Sequence, residues 1–252
     1  MIYDMFHIEG KKAIVTGGSR GIGRGIARGL HNDGCQVVIW GSSATVQQTA
    51  EELSTDDNQV EAVICDLNRT ETIEQAFEAS MAHLGGEIDI LINNAGTQIR
   101  HKCEEFPLED FNKVLRVNLI AAFLLSQLAG KKMLQKGYGK IVNTASMTSF
   151  SGGFTVPAYT ASKGGIAQLT KAFCNEWAER GINVNAIAPG YIDTDNLIGL
   201  NEARMRTIMD RLPAGRLGTP EDLVGIVLFL CSHASDYLNG AIIPVDGGWL
   251  AR

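Results

Sequence analysis

Seven short runs rich in Val, Ile, Leu and Ala recur along the chain: KAIVT at 12–16, QVVIW at 36–40, EAVIC at 61–65, DILIN at 89–93, KIVNTA at 140–145, INVNAIA at 182–188 and AIIPV at 241–245. Most are nearly continuous in apolar side chains, and the longer stretches between them have helical periodicity. Continuous apolar strands alternating with helices predict a parallel sheet covered on both faces. No Pro/Gly/Ser-rich linker divides the pattern, so we expect one α/β domain over residues 1–252, a doubly wound, seven-stranded parallel sheet flanked by helices. Ligands of such sheets bind beyond the C-terminal ends of the strands, near the reversal of strand order. The chemistry is therefore sought just after each strand.

Composition adds exclusions. With 45% hydrophobic and 20% charged residues the chain reads as a soluble globular protein. The net charge is -6 and the basic residues are scattered, which leaves no electrostatic footprint for nucleic acid. The opening MIYDMFHIEGKK carries Asp4 and Glu9 where a signal peptide needs a basic start and an apolar middle. The apolar stretch Val117 to Gly130 falls short of the roughly 20 residues that span a bilayer. A cytoplasmic protein with no membrane partner is expected. The five cysteines, Cys35, Cys65, Cys103, Cys174 and Cys231, form no C-x-x-C pair, and the histidines form no ligand set, so reduced thiols and no metal site are expected.

The first strand runs straight into TGGSRGIG, Thr16 to Gly23. Two readings compete. Gly17, Gly21 and Gly23 suit a tight turn that aims a helix N-terminus at a phosphate, whereas Ser19 within G-x-S-x-G suits an exposed nucleophile. The nucleophile needs an oxyanion-supplying unit before it and a histidine base after it. Almost no chain precedes the motif, and neither His101 nor His233 sits in a telling context.

A second constellation follows the fifth strand, where Ser146 leads by thirteen residues to Tyr159 and by four more to Lys163. If residues 159–180 are helical, Tyr159 and Lys163 lie one turn apart on one face. An ammonium beside a phenol favours the phenolate, so Lys163 is expected to lower the Tyr159 pKa and make it usable as an acid or base.

These motifs, with CDL, NNAG, VN at 117–118, YTASK, APGYIDT and VDGG in the same order, resemble the short-chain dehydrogenase/reductase family over almost the entire chain. The resemblance implies a Rossmann-type fold, a nicotinamide cofactor and a secondary alcohol/ketone oxidoreductase working by direct hydride transfer. Tyr159 would exchange the proton with the substrate oxygen, Ser146 would hydrogen-bond that oxygen, and Lys163 would bind the nicotinamide ribose. Asn118 would hold a water near Lys163. No serine ester forms, which makes Ser19 a cofactor contact.

The resemblance also implies a cofactor site of Gly17, Ser19, Arg20, Gly21, Ile22 and Gly23 at the phosphates, Ser42 and Ser43 at the adenosine ribose, and Asp66 and Leu67 at the adenine. Asn94, Ala95 and Gly96 would pass the ribose, and Pro189, Gly190, Ile192 and Thr194 would hold the carboxamide. The second strand ends in Gly41, Ser42 and Ser43 with no acid to accept from a ribose 2′-OH, so NADP is favoured over NAD, with Arg20 at its 2′-phosphate. ASMTSFSGG, NEWAERGINVNAIAPGY, DRLPAGR and VDGGWLAR are similar to the family's sugar-acid oxidoreductases of gluconate and deoxy-ketogluconate type. A 3-oxoacyl carrier-protein reductase and a non-catalytic nucleotide-binding protein are the alternatives. The substrate would meet Gln98, Arg100, Ser146, Met147 and Tyr159, with Arg100 gripping a carboxylate, a role Lys102 or Arg216 could also take. Residues 191–218 would close over it. A homotetramer with contacts at 106–136 and at the C-terminus is expected.

Overall fold

The computed structural model describes residues 2–194 and 202–252. Strands β1 (Lys12–Thr16), β2 (Gln36–Gly41), β3 (Val60–Ile64), β4 (Ile90–Asn93), β5 (Gly139–Thr144), β6 (Ile182–Pro189) and β7 (Ile242–Val245) fall within a residue or so of the expected runs. They form one parallel sheet in the order β3-β2-β1-β4-β5-β6-β7. The order reverses between β1 and β4, which share an edge in the register Val15↔Ile92.

The continuity of the apolar runs has a direct cause: both faces of the sheet are covered. Ile14, Val38, Leu91, Ile141 and Val184 point to one face, where they meet Phe77 and Met81 of α3 (Ile73–His83) and Leu125, Ala129 and Met133 of α5 (Ala121–Lys136). Ala13, Val15, Val37, Ile39 and Ile92 point to the other. There they meet Ile26 and Leu30 of α1 (Gly21–Asn32), Val46 and Ala50 of α2 (Thr45–Leu53), and Val227 and Leu230 of α8 (Val224–Cys231).

Helix α4 (Leu108–Leu115) continues into α5 through a π turn at Arg116–Ile120. The continuous helix Leu108–Lys136 is long and apolar enough to cross a membrane, a greater length than the sequence stretch suggested. Its inner face, with Ala121, Leu125, Ala129 and Met133, packs into the core instead.

Helix α6 (Pro157–Trp177) begins two residues before the expected 159, because Pro157 supplies a fixed φ at a first-turn position that needs no N–H. It closes through a short turn onto Gly181, whose φ of 83° only glycine adopts without cost. Of the expected closing segment 191–218, residues 195–201 lie outside the described residues. Its two ends meet, with the Asp193 N–H on the Gly218 carbonyl at 2.7 Å, and α7 (Glu202–Arg211) lies between them.

Candidate active site

The turn after β1 is built from contacts that leave no room for side chains. Gly17 has φ +66°, and a Cβ there would lie 2.9 Å from the Ala95 Cα; at Gly23 it would lie 2.1 Å from the Gly17 carbonyl oxygen. The turn is tied to the one after β4. Thr16 Oγ1 accepts from the Asn94 and Ala95 N–H groups at 3.0 Å each and donates to the Ile92 carbonyl, while Asn94 Nδ2 donates to the Thr16 carbonyl at 3.0 Å. These bonds hold together the two loops that flank the reversal of strand order.

A cavity of about 630 Å³ runs along that line. Of the expected cofactor residues it brings together Gly17, Ser19, Arg20, Gly21, Ile22, Gly23, Ser42, Asp66, Leu67, Asn94, Ala95, Gly96 and Thr194, with Gln98, Tyr159 and Lys163. None of the described lining residues is a histidine, so the nucleophile reading of Ser19 finds no histidine base on this cavity wall. The narrow glycine cradle and the free N–H groups at the start of α1 fit the pyrophosphate of a dinucleotide. A bound nicotinamide would supply the hydride carrier.

Other expected residues stand off the cavity wall. Ser43 instead bonds Thr45 at the head of α2. Gly190 is pressed against Asp246 and donates to the Val245 carbonyl, so Pro189 and Gly190 join β6 to β7; Ile192 pairs with Gly218. Met147 opens a short turn after Ser146. Arg100 is exposed, and its Nη1 faces the Phe154 carbonyl and Thr155 Oγ1 at 3.4 and 3.5 Å. Of its rivals, Lys102 faces Glu105 at 3.7 Å and Arg216 is clasped by both oxygens of Asp222 at 2.6 and 2.8 Å.

The catalytic candidates converge. Ser146 caps the turn after β5, accepting from the Thr148 N–H, and stands in hydrogen-bonding contact with Tyr159. Lys163, 3% exposed, lies with its Nζ 5.6 Å from the Tyr159 ring centroid and donates to the Thr144 carbonyl. Burial brings its pKa down to about 8. For Tyr159 the net displacement is upward: burial raises the phenol's pKa and the Ser146 hydrogen bond pulls it down. The expected lowering by Lys163 is not found: desolvation of the phenolate sets the direction, and the opposing contribution comes from Ser146.

Asn118 sits in the π turn, 2% exposed. Its Oδ1 accepts from the Thr97 N–H at 2.8 Å, and its Nδ2 donates to the Thr97 carbonyl and to Ser162 Oγ. The side-chain amide is thereby committed to the loop after β4 and to Ser162 on α6, rather than to the water expected of it.

Sequence reasoning missed Trp40, Cys65, Thr97, Lys113, Val117 and Thr144 on the cavity wall. Trp40 and Cys65 end predicted strands, where the position rule alone could have found them; the Thr144 carbonyl has no counterpart in a side-chain pattern.

This arrangement is that of a dinucleotide-dependent oxidoreductase of the short-chain type. A family model described as Enoyl-(Acyl carrier protein) reductase matches residues 17–250, and the chain belongs to the short-chain dehydrogenase/reductase family. It is 47% identical over 253 residues to the 2-dehydro-3-deoxy-D-gluconate 5-dehydrogenase of Bacillus subtilis (strain 168), covering 100% of this chain and 99% of that one. A solved structure from Beutenbergia cavernae, a putative NAD(P) dependent gluconate 5-dehydrogenase with bound NADP, superposes with a TM-score of 0.95 at 44% identity, covering 98% of this chain and 100% of that one. The 3-oxoacyl-[acyl-carrier-protein] reductase of Aquifex aeolicus (strain VF5) is more distant, at 38% identity over 96% of this chain and 98% of its own length.

Proposed function

We propose that the protein is an NADP-preferring oxidoreductase that interconverts a secondary alcohol and a ketone on a six-carbon sugar acid of the gluconate or deoxy-ketogluconate type. The observation that carries this reading is the meeting of Tyr159 and Lys163 on the wall of the cavity that the glycine cradle also lines, with Ser146 hydrogen-bonded to Tyr159 behind it. Relatives named for gluconate chemistry and the NADP bound in a neighbour support the substrate class and the cofactor.

Tyr159 holds the proton that the substrate oxygen gains on reduction and takes it back on oxidation. With its pKa raised, the phenol is protonated at neutral pH and set to donate. Ser146 orients the same oxygen by a hydrogen bond. Lys163, held by the Thr144 carbonyl, places a cation beside the phenol and the ribose, and Asn118 fixes Thr97 at the cavity wall. The turn from Gly17 to Gly23 and the N-terminus of α1 take the pyrophosphate, and Arg20 takes a 2′-phosphate beside Ser42.

At the open end, Gln98 and Arg100 face the substrate, with Arg100 gripping its carboxylate while remaining against the loop at 154–155. Residues 191–218 close over the bound molecule. The assembly is a homotetramer in the cytoplasm, its contacts formed by the helix that includes the exposed Leu108, Ile120 and Phe123 and by the C-terminal segment. A monomeric mass by light scattering at micromolar concentration overturns that assembly.

The test of function is a screen of purified protein against sugar acids and 3-oxoacyl thioesters with both nicotinamide cofactors, following absorbance of the reduced ring. Turnover of a gluconate-type acid with NADP is expected. A preference for acyl thioesters overturns the substrate class.

A further inference from the structure

Four polar side chains are buried in the largely apolar layer between the sheet and helices α5 and α6: Asn93 on β4, Asn143 on β5, Ser126 on α5 and Thr170 on α6, none more than 6% exposed. They form a connected chain. Asn93 Nδ2 donates to Ser126 Oγ and to Asn143 Oδ1, both at 2.9 Å; Asn143 Nδ2 donates to Thr170 Oγ1 at 2.9 Å; Thr170 Oγ1 donates to the Ile166 carbonyl at 2.8 Å. From Asn93 to Ile166 the donors all point one way, so each bond polarises the next.

Apolar side chains would fill this layer without the desolvation that buried amides and hydroxyls incur. What the polar chain adds is direction: apolar surfaces can slide past one another, whereas a short hydrogen bond fixes both partners. The elements it joins carry or adjoin Asn94, Asn118, Ser146 and Lys163. Asn93 precedes Asn94, Asn143 lies three residues before Ser146, Ser126 eight after Asn118, and Thr170 seven after Lys163. Seven residues are about two helical turns, so Thr170 sits directly below Lys163 on α6, roughly 10 Å along its axis.

We propose that Asn143 and Thr170 are positioning residues for catalysis: their hydrogen bond sets the depth of α6 against β5, and with it the meeting of Tyr159 with Ser146 and of Lys163 with the Thr144 carbonyl. The inference rests on the proposed oxidoreductase reading. A misplacement of about 1 Å in such a site can cost on the order of a hundredfold in rate, so a fixed register at this point has a catalytic consequence.

The test uses two substitutions that separate shape from hydrogen bonding. Thr170→Val keeps the shape and removes the hydroxyl; Thr170→Ser keeps the hydroxyl and leaves a methyl-sized gap. In the dinucleotide-bound enzyme, Thr170→Val is expected to lower kcat by about tenfold or more with the KM for the dinucleotide within about twofold. Thr170→Ser is expected to keep kcat near wild type despite a lower Tm. Crystal structures of the two variants read the Ser146 Oγ to Tyr159 Oη separation without any substrate, and in Thr170→Val it should lengthen by about 0.5 Å. An unchanged separation overturns the proposal whether or not kcat falls, as does a Thr170→Ser variant as slow as Thr170→Val. A wild type inactive on every alcohol and ketone overturns the functional reading instead, and the crystal comparison still decides the register.

Discussion

Lys163 reaches from α6 to the last carbonyl of β5, its Nζ donating to Thr144. Burial brings its pKa down from 10.5 to about 8, so in the folded protein the ammonium is harder to form than in the unfolded chain. Below pH 8 the cost of charging it is present in full. Between pH 8 and 10.5 the unfolded chain binds more protons, stability rises with pH, and the cost disappears. Relative to Lys163→Met, the ligand-free wild type should gain on the order of 3 kcal/mol across that window. Parallel pH dependence of the two proteins in denaturant titrations would remove the buried charge from the account.

Tyr159→Phe removes one hydroxyl and little surface. Turnover should fall roughly a hundredfold to ten-thousandfold, the ordinary worth of a positioned acid or base. Dinucleotide binding, followed by fluorescence, should stay close to wild type. Substantial residual turnover would move the proton to another group.

Cofactor choice is readable at Ser42, which lines the cavity at the end of β2 with no carboxylate in Gly41, Ser42 or Ser43. Ser42→Asp places an anion against a 2′-phosphate, and such like-charge contacts cost several kcal/mol, so kcat/KM for NADP should drop by more than about tenfold while NAD is spared. Arg20→Ala should weaken NADP and leave NAD alone. A wild type that prefers NAD, indifferent to Arg20, contradicts the assignment.

Gly23→Ala would bring a Cβ to 2.1 Å from the Gly17 carbonyl oxygen, inside the Gly17 to Gly23 turn. Main chain cannot yield as a side-chain tip does. The variant should lose dinucleotide affinity and several degrees of Tm together, measured by thermal shift with and without NADP. Unimpaired binding would mean that the turn has slack.

Arg100→Ala should lose about tenfold or more in kcat/KM on sugar acids, one charge-assisted contact being worth roughly 1.5–3 kcal/mol, and little on an uncharged polyol. Equal losses on both would leave Arg100 with only its loop contacts at Phe154 and Thr155.

The sheet was legible because both its faces are buried: Ile14 and Val15 point opposite ways and are equally apolar, so most strands appear as nearly continuous apolar runs. The glycine turn and the Ser146, Tyr159, Lys163 triplet were legible for a related reason, since few residue types meet their steric and chemical demands. Main-chain partners were not. The Thr144 carbonyl under Lys163, the Thr97 amide on Asn118 and the π turn at Arg116–Ile120 depend on backbone geometry that several sequences could adopt. The direction of the Tyr159 pKa was misread for a physical reason: a neighbouring lysine is visible in the letters, whereas the depth of burial that sets the direction is not.

The strand order also bears on how the chain is made. β1 is paired on one side with β2 and on the other with β4, Val15 standing opposite Ile39 and Ile92. On a ribosome the first seventy residues can therefore assemble β1, β2 and β3 while the far edge of β1 is still bare. That edge carries an unpaired row of main-chain donors and acceptors until residues 90–93 emerge, and such edges attract foreign strands. Synthesis proceeds at about 5–20 residues per second, so the nascent protein passes a few seconds with its future centre as its rim, the interval in which chaperone protection matters most.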